Sequence, residues 1–167
     1  WKTVLVGGLN WGGRAFYALD ITDPTTLASA ETGTNPSDIA MWEFTDANDS
    51  DLGYTHVQPT YPPFQGISQQ IRKMYNGKWA AILGNGYNST SGKAALFILF
   101  VDHSGGTWTD GTDYIKLVAD TGPDNGLSTP MPYDIDGDGV VDMIYAGDLK
   151  GNLWQFDVTH SNPANWK

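Results

Sequence analysis

The stretch MIYAGDLKGNLWQFD, residues 143–157, decides the fold of this chain. It contains an apolar run that ends in glycine, a short turn with Gly151 and Asn152, and a second apolar run closed by Asp157. These apolar runs are short, contain β-branched and aromatic residues, and are bounded by Gly and Asn. Such runs predict a β-hairpin rather than a helix. A glycine in the turn supplies the positive φ that tight hairpins require.

The same pattern occurs twice more, earlier in the chain. VLVGGLNWGGRAFYALD (residues 4–20) and AAILGNGYNSTSGKAALFILFVD (residues 80–102) each consist of a strand, a Gly-rich turn and a second strand ending in Asp. The copies recur at intervals of roughly 60–80 residues, which is long for a simple repeat and indicates insertions. Further strands are predicted at residues 39–44 and 114–118, and a short helix at 69–74. Segments 22–38, 59–66 and 103–113 are rich in turn-forming residues and predict surface loops.

Recurring hairpins with aromatic strands predict the blades of a β-propeller, an all-β fold. A four-stranded blade takes roughly 40–50 residues, so this chain is expected to hold about three to four blades. We expect so few blades not to close into a ring, and we assign residues 1–167 to part of a single propeller domain. A β-sandwich is the competing architecture, but the faithful recurrence of the unit favours the propeller.

Composition and charge exclude several classes of protein. The formal net charge of -10 disfavours nucleic acid and anionic membrane as partners, because both would be repelled. No apolar run approaches the length of a membrane span, so direct membrane insertion is not expected. The chain has no cysteine, which excludes disulfides, thiolate metal sites and a cysteine nucleophile. It opens in a strand-like pattern without a signal segment, so we expect an internal piece of a longer protein.

The acidic loop DIDGDGVVD, residues 134–142, is the strongest candidate for chemistry. Its carboxylates fall at positions 1, 3, 5 and 9 with a glycine at position 6, which is the oxygen-ligand spacing of a calcium loop. Like charges packed this closely repel one another unless a cation offsets them. The predicted ligands are the side chains of Asp134, Asp136 and Asp138, the Val140 carbonyl, and Asp142 directly or through water.

The flanks of this loop are not those of a helical calcium hand. Tyr145 occupies position 12, where a bidentate Glu is expected, and Pro130 and Pro132 precede the loop. The sequence therefore predicts a calcium loop set before a strand. Magnesium is disfavoured because it takes fewer protein ligands, and a solvated acidic turn is the alternative without a metal.

The remaining polar motifs predict structural roles. Stretch 84–88, GNGYN, has no following Lys-Ser/Thr and opens no helix, so it predicts a turn rather than a phosphate loop. The histidines share no metal-binding spacing and are interpreted as packing or surface residues: His56, His103 and His160. Three aspartates end equivalent strands and predict turn caps: Asp20, Asp102 and Asp157.

Three segments together resemble a known family. They are WKTVLVGG leading into YALDITDP (residues 1–24), GKWAAILGNGYN with SGKA (residues 77–94), and NGLSTP through the acidic loop into YAGDLKGNLW (residues 125–154). The ordered set resembles the C-terminal β-propeller domain of the PilY/PilC family of type IV pilus tip-associated adhesins, almost end to end. Segments 61–74 and 103–113 look longer than expected for that family.

The resemblance implies a modified propeller related in shape to quinoprotein propellers. It implies a calcium (Ca2+) site at the acidic loop, carried over to Asp134, Asp136, Asp138, Val140 and Asp142. It also implies a non-enzymatic protein that promotes pilus assembly, opposes retraction and mediates adhesion, under the control of calcium occupancy. The implied partners are type IV pilus components, the minor pilins, together with a host or surface ligand. The implied location is secreted, at the bacterial cell surface, the pilus tip or the outer membrane.

Two other functions stay open from the sequence. A quinoprotein dehydrogenase has a blade signature similar to YALD at residues 17–20 with WEF at 42–44, but no cofactor-binding constellation accompanies it here. A carbohydrate-binding propeller would use exposed Trp and Tyr side chains, most of which are otherwise expected to pack between blades.

Overall fold

The computed structural model describes residues 1–31, 36–56 and 70–167, which form three antiparallel β-sheets. The first sheet has the order β1-β2-β3, with strands Val4–Gly8, Ala15–Asp20 and Ala40–Thr45. The middle sheet has the order β4-β5-β6-β7, with strands Ile71–Lys73, Trp79–Gly84, Ala94–Phe100 and Tyr114–Asp120. The third sheet has the order β10-β9-β8, with strands Met131–Tyr133 (β8), Met143–Gly147 (β9) and Leu153–Asp157 (β10). Helix α1 spans Pro24–Glu31, and two 3₁₀ turns span Pro36–Asp38 and Pro163–Asn165.

The three predicted hairpins are confirmed. In the third sheet Gly147 lies opposite Leu153 and Met143 lies opposite Asp157. The pair β5–β6 starts with Gly84 opposite Leu96, and the pair β1–β2 has Gly8 opposite Phe16. The strands predicted at 39–44 and 114–118 are β3 and β7, shifted or extended by one or two residues.

The predicted helix at 69–74 is wrong within the described residues, because Ile71–Lys73 forms strand β4. Its backbone pairs with β5, and the Ile82 amide donates to the Gln70 carbonyl at 2.7 Å. The open edge of β5 supplies the backbone partners that this short segment would otherwise have found within a helix. Residue 69 and the predicted loop at 59–66 lie outside the described residues.

Segment 22–38 was expected to be a loop, but it contains helix α1. Pro24 occupies the first helical position, and the Asp23 carboxylate accepts hydrogen bonds from the Thr25 amide and hydroxyl at 2.8 and 2.7 Å. A side chain that accepts hydrogen bonds, followed by proline, is a signal for the start of a helix. This signal was overlooked because the segment as a whole is rich in residues typical of loops. The predicted loop at 103–113 is confirmed, although its Trp108 is buried against Phe44, with ring centroids 5.1 Å apart.

The middle sheet lies between the other two and is buried on both faces. On one side, β6 residues Phe97 and Leu99 join Phe16 and Phe44 of the first sheet in one core cluster. On the other side, the alternate β6 residues pack with residues of the third sheet in a second cluster, which contains Leu96, Ile98, Phe100, Ile144, Ala146 and Phe156. Every residue of β6 is buried, which explains its continuous apolar run AALFILF.

The three sheets stack face to face like successive propeller blades. Within the described residues, the first and third sheets share no strand pairing, so the stack does not close into a ring. The outer face of the third sheet is exposed at Met131, Tyr133 and Leu153, which are 39%, 55% and 76% exposed. The prediction of an all-β fold with about three to four blades that do not close is confirmed, with three sheets in the described residues. In the part of the chain that the structure describes, no helix is long and apolar enough to cross a membrane.

Asn85 lies where the three sheets meet. Its side-chain amide is fully buried and donates to the carbonyls of Asp51 and Lys93 at 2.7 and 2.9 Å. Its side-chain oxygen accepts from the amides of Ala95 and Leu127 at 3.1 and 2.8 Å. One side chain thus connects the loop after the first sheet, the middle hairpin and the segment that leads to the third sheet.

Candidate metal site

The acidic loop connects β8 to β9 in the third sheet. Tyr133 and Met143, which flank the loop, lie opposite each other in the antiparallel ladder. The prediction of a loop set directly before a strand is therefore confirmed, and the two paired strands hold both ends of the loop in place.

The loop brings three carboxylates together. Oxygen atoms of Asp134, Asp136 and Asp138 all lie within 4.8 Å of one another, with Asp134 half-buried and the other two exposed. This spacing allows three oxygens to contact one ion at calcium distances of about 2.3–2.6 Å.

Backbone amides fix the orientation of these carboxylates. Gly137 and Gly139 have φ values of 80° and 89°, which turn their amides toward Asp134. Those two amides donate to the two Asp134 carboxylate oxygens at 2.7 and 2.8 Å. The amides of Asp138 and Val140 donate to Asp136 and Asp138 at 3.1 and 2.7 Å. Each carboxylate oxygen keeps further lone pairs that a cation can use.

Asp142 occupies the base of the loop, apart from the group of three. It is only 5% exposed, and its carboxylate oxygens accept hydrogen bonds from the Ile135 amide at 2.6 Å and the Tyr75 hydroxyl at 2.8 Å. Val140 pairs with Lys73 of β4 in an isolated parallel bridge. The structure thus brings together three of the five predicted ligands and gives Asp142 a role in closing the loop.

Two residues of this site were missed by sequence reasoning. Arg72 lies 3.4 Å from an Asp134 oxygen through its Nη2 atom, in an ion pair whose side chains are 17% and 14% exposed. The hydrogen bond to Asp142, with added repulsion from Asp136 and Asp138, raises the pKa of Tyr75 to about 12. Both residues come from β4 and the turn after it, more than sixty residues earlier in the chain, so no local spacing could indicate them.

The charges of the loop remain largely uncompensated. Four aspartates lie in residues 134–142, and among the described residues Arg72 alone forms an ion pair with them. The Arg72 guanidinium offsets one of the four negative charges. A divalent cation would reduce the repulsion among the others, which is the electrostatic reason to expect a metal here.

The other sequence candidates have structural contacts. His103 stacks on Trp108 at 3.9 Å and contacts Asp113 at 3.3 Å, whereas His56 contacts Trp11 and His160 accepts from the Asn162 amide.

Two of the predicted turn caps are confirmed, because Asp20 accepts from the Thr22 amide and Asp157 from the Thr159 amide. Hydrogen bonds from Thr22, then the contact with Lys2, hold the pKa of Asp20 at about 2. Asp102 forms an ion pair with Lys78 at 3.6 Å instead.

Comparison with known proteins gives one consistent family. A family model described as the PilY1 beta-propeller domain matches residues 1–166. A type IV pilus biogenesis factor PilY1 homolog of Xylella fastidiosa is 42% identical over 175 residues, covering 99% of this chain and 10% of the relative. The type IV pilus biogenesis factor PilY1 of Pseudomonas aeruginosa is 39% identical over 158 residues, covering 95% of this chain and 11% of the relative. The chain thus spans about a tenth of the length of these curated relatives.

A solved structure agrees with the sequence relatives. The crystal structure of the Pseudomonas aeruginosa PilY1 C-terminal domain superposes with a TM-score of 0.70 at 40% identity. The match covers 95% of this chain and 27% of that chain. The three stacked sheets are therefore part of a β-propeller, and the family resemblance read from the sequence is confirmed. The chain belongs to the PilY1 beta-propeller domain family.

Proposed function

We propose that this chain is the calcium-binding propeller segment of a type IV pilus biogenesis factor and adhesin. In this role it supports pilus assembly, opposes retraction and aids attachment to surfaces, without catalysing a reaction. Membership of the PilY1 propeller family supports this proposal, as do relatives named type IV pilus biogenesis factors. The expected partners are minor pilins at the cell surface, at the pilus tip or the outer membrane.

The grouping of Asp134, Asp136 and Asp138 carries the calcium part of the proposal. Their oxygens lie within 4.8 Å of one another in a loop that glycines turn inward. We infer that the Val140 carbonyl and Asp142, directly or through water, complete the coordination. Calcium accepts six to eight oxygens in flexible geometry, whereas magnesium demands a near-ideal octahedron and keeps several waters. A cluster with this many carboxylates therefore suits calcium better.

The position of the loop explains how calcium would act on the propeller. The Val141 amide donates to the Lys73 carbonyl at 3.0 Å, and Asp142 accepts from Tyr75, so the loop joins the third sheet to the middle one. A ligand that binds only the folded loop stabilises that state by mass action. Calcium would thereby stabilise the junction between these two blades. A rigid surface at this junction can present a fixed interface to pilus components.

The experiment replaces Asp136 in the intact protein inside its own cells. Asp136→Asn removes one charge at an exposed position, so the propeller is expected to stay folded. We expect the variant cells to carry several-fold fewer surface pili, measured as pilin released by shearing. In cells without the retraction motor, surface pili should return toward the unmodified level, because the proposed role is to oppose retraction.

Asp124→Asn provides the matched control, because Asp124 is an exposed aspartate outside the loop. Its φ of 59° suits asparagine equally well, so the replacement adds no backbone strain. Unchanged piliation with Asp136→Asn, at equal protein levels, would refute the proposed role of the loop.

A further inference from the structure

A cluster of aromatic rings lies at the ends of the first and middle sheets, away from the acidic loop. Its members are Trp11, Tyr54, His56 and Tyr87, here named the aromatic patch. Trp11 is 70% exposed, and its ring centroid lies 5.5 Å from that of Tyr54 and 4.4 Å from that of His56. The rings of His56 and Tyr87 are 5.9 Å apart. Four rings thus form a continuous surface whose most prominent member projects into solvent.

Backbone contacts fix this patch across two sheets. The Tyr54 amide donates to the Tyr87 carbonyl at 2.7 Å, which joins the loop after the first sheet to the loop between β5 and β6. The Asn10 amide donates to the Thr55 hydroxyl at 3.2 Å, and this hydroxyl donates to the Ala15 carbonyl at 3.1 Å. The turn that carries Trp11 is therefore held against the Tyr54 segment before any ligand arrives, which lowers the entropic cost of binding.

Polar residues neighbour the rings, Arg14 by direct contact and Asn10 and Asn88 by their places in the chain next to Trp11 and Tyr87. The Arg14 guanidinium lies 5.4 Å from the centre of the Tyr54 ring. Asn10 and Asn88 are exposed, have φ values of 53° and 56°, and use their side-chain amides in no hydrogen bond to described residues. The buried Nε2 atom of His56 has no hydrogen-bond partner among the described residues, which is costly unless a ligand or water reaches it.

From this combination we propose that the aromatic patch binds a neutral saccharide. A pyranose ring has an apolar face of C–H groups that stacks on tryptophan or tyrosine and a rim of hydroxyls that needs hydrogen-bond partners. The exposed Trp11 ring offers the stacking surface, and Asn10, Asn88 and Arg14 offer the polar partners. A purely apolar partner would leave these polar groups desolvated and unpaired.

Charge selects the class of saccharide. Arg14 Nη1 lies 3.4 Å from an Asp46 carboxylate, so its positive charge is already partly offset. The whole chain carries a formal net charge of -10, which repels anionic polysaccharides. Neutral hexose or N-acetylhexosamine chains fit these conditions. The proposal does not depend on calcium, because the patch and the acidic loop share no residue.

The test titrates the intact protein with cellohexaose, chitohexaose, laminarihexaose and mannohexaose, using calorimetry and tryptophan fluorescence. We expect at least one of the four to bind, and Trp11→Ala to weaken that binding at least tenfold. Asn88→Gly should weaken it several-fold without disturbing the fold, because glycine readily adopts the positive φ of this position.

Trp79→Ala is the matched control, because Trp79 is another exposed tryptophan, 55% accessible, on strand β5. It should bind the same oligosaccharide with unchanged affinity. The proposal is overturned if the unmodified protein binds none of the four oligosaccharides, or if Trp11→Ala binds as tightly as the unmodified protein. It is also overturned if a hexaproline peptide binds through Trp11 and no oligosaccharide does, since aromatic grooves of another class recognise proline-rich chains.

Discussion

At the scale of single residues, Asn85 contributes most to the arrangement of the sheets. Its fully buried side chain satisfies two carbonyls and two amides from segments that are far apart in sequence. A buried polar group without a partner costs about 1–3 kcal/mol, so four groups that depend on one side chain make it sensitive to replacement.

Replacing this side chain should destabilise the propeller strongly. We expect Asn85→Ala to lower the free energy of unfolding by roughly 3 kcal/mol or more, because it leaves buried groups such as the Leu127 amide unsatisfied. Urea unfolding followed by tryptophan fluorescence measures this change. Asn88→Gly is the control and should stay within about 0.5 kcal/mol, since Asn88 is exposed and its φ suits glycine. A loss below about 1 kcal/mol for Asn85→Ala would contradict the assigned role.

Residue spacing predicted part of the candidate site but not all of it. Positions 1, 3 and 5 of the acidic loop correctly indicated that Asp134, Asp136 and Asp138 converge, because a tight loop fixes that geometry locally. The contacts of Arg72 and Tyr75 with the loop depend on how the middle and third sheets stack. Local pattern carries no information about such long-range contacts.

At the scale of elements, the hairpins were predictable and the short flanking strands were not. Each hairpin has apolar runs, a glycine turn and a closing aspartate within one local segment. Strand β4 has only three residues, too few to show a period of two, and it becomes a strand because β5 offers it an open edge. Helix α1 was missed because its start signal lies in a segment whose composition is typical of loops.

The loop between β8 and β9 connects the proposed metal site to strand pairing. The amides of Val141 and Asp142 donate to the carbonyls of Lys73 and Tyr133, both at 3.0 Å. We expect calcium to slow hydrogen exchange at these two amides at least tenfold, because opening the loop would release the bound ion. The Ala18 amide, in β2 of the first sheet, serves as the control and should exchange at the same rate with and without calcium. Equal protection of Val141 and Asp142 in both conditions would contradict the proposed bracing.

At the scale of the whole molecule, the three sheets are unequal blades of one propeller. The pair β5–β6 has a strand on each side, whereas the pair β1–β2 lacks the counterpart of β4 and the pair β9–β10 lacks the counterpart of β7. These comparisons concern only the described residues. The first and third sheets therefore each keep an unpaired strand edge, and such an edge readily accepts another strand. Closing the blades into a ring would require strands beyond these three sheets.

The sequence predicted an open propeller from the count of blades, but it could not show which strands each blade has. The continuous apolar run of β6 is typical of a strand buried on both faces, but it does not indicate which sheets cover those faces. Its central position follows from the stacking of three sheets, which depends on contacts between residues far apart in the chain.

The central claim is that calcium binds the acidic loop of this propeller, and calcium titration of the intact protein by calorimetry tests it most directly. Asp136 is the residue to replace, because it is exposed, whereas the buried Asp142 also supports the fold through Tyr75 and Ile135. We predict that Asp136→Asn binds one calcium ion fewer per chain, or binds it at least tenfold more weakly, and that Asp124→Asn matches the unmodified protein. Equal stoichiometry and affinity for Asp136→Asn and the unmodified protein would contradict the account.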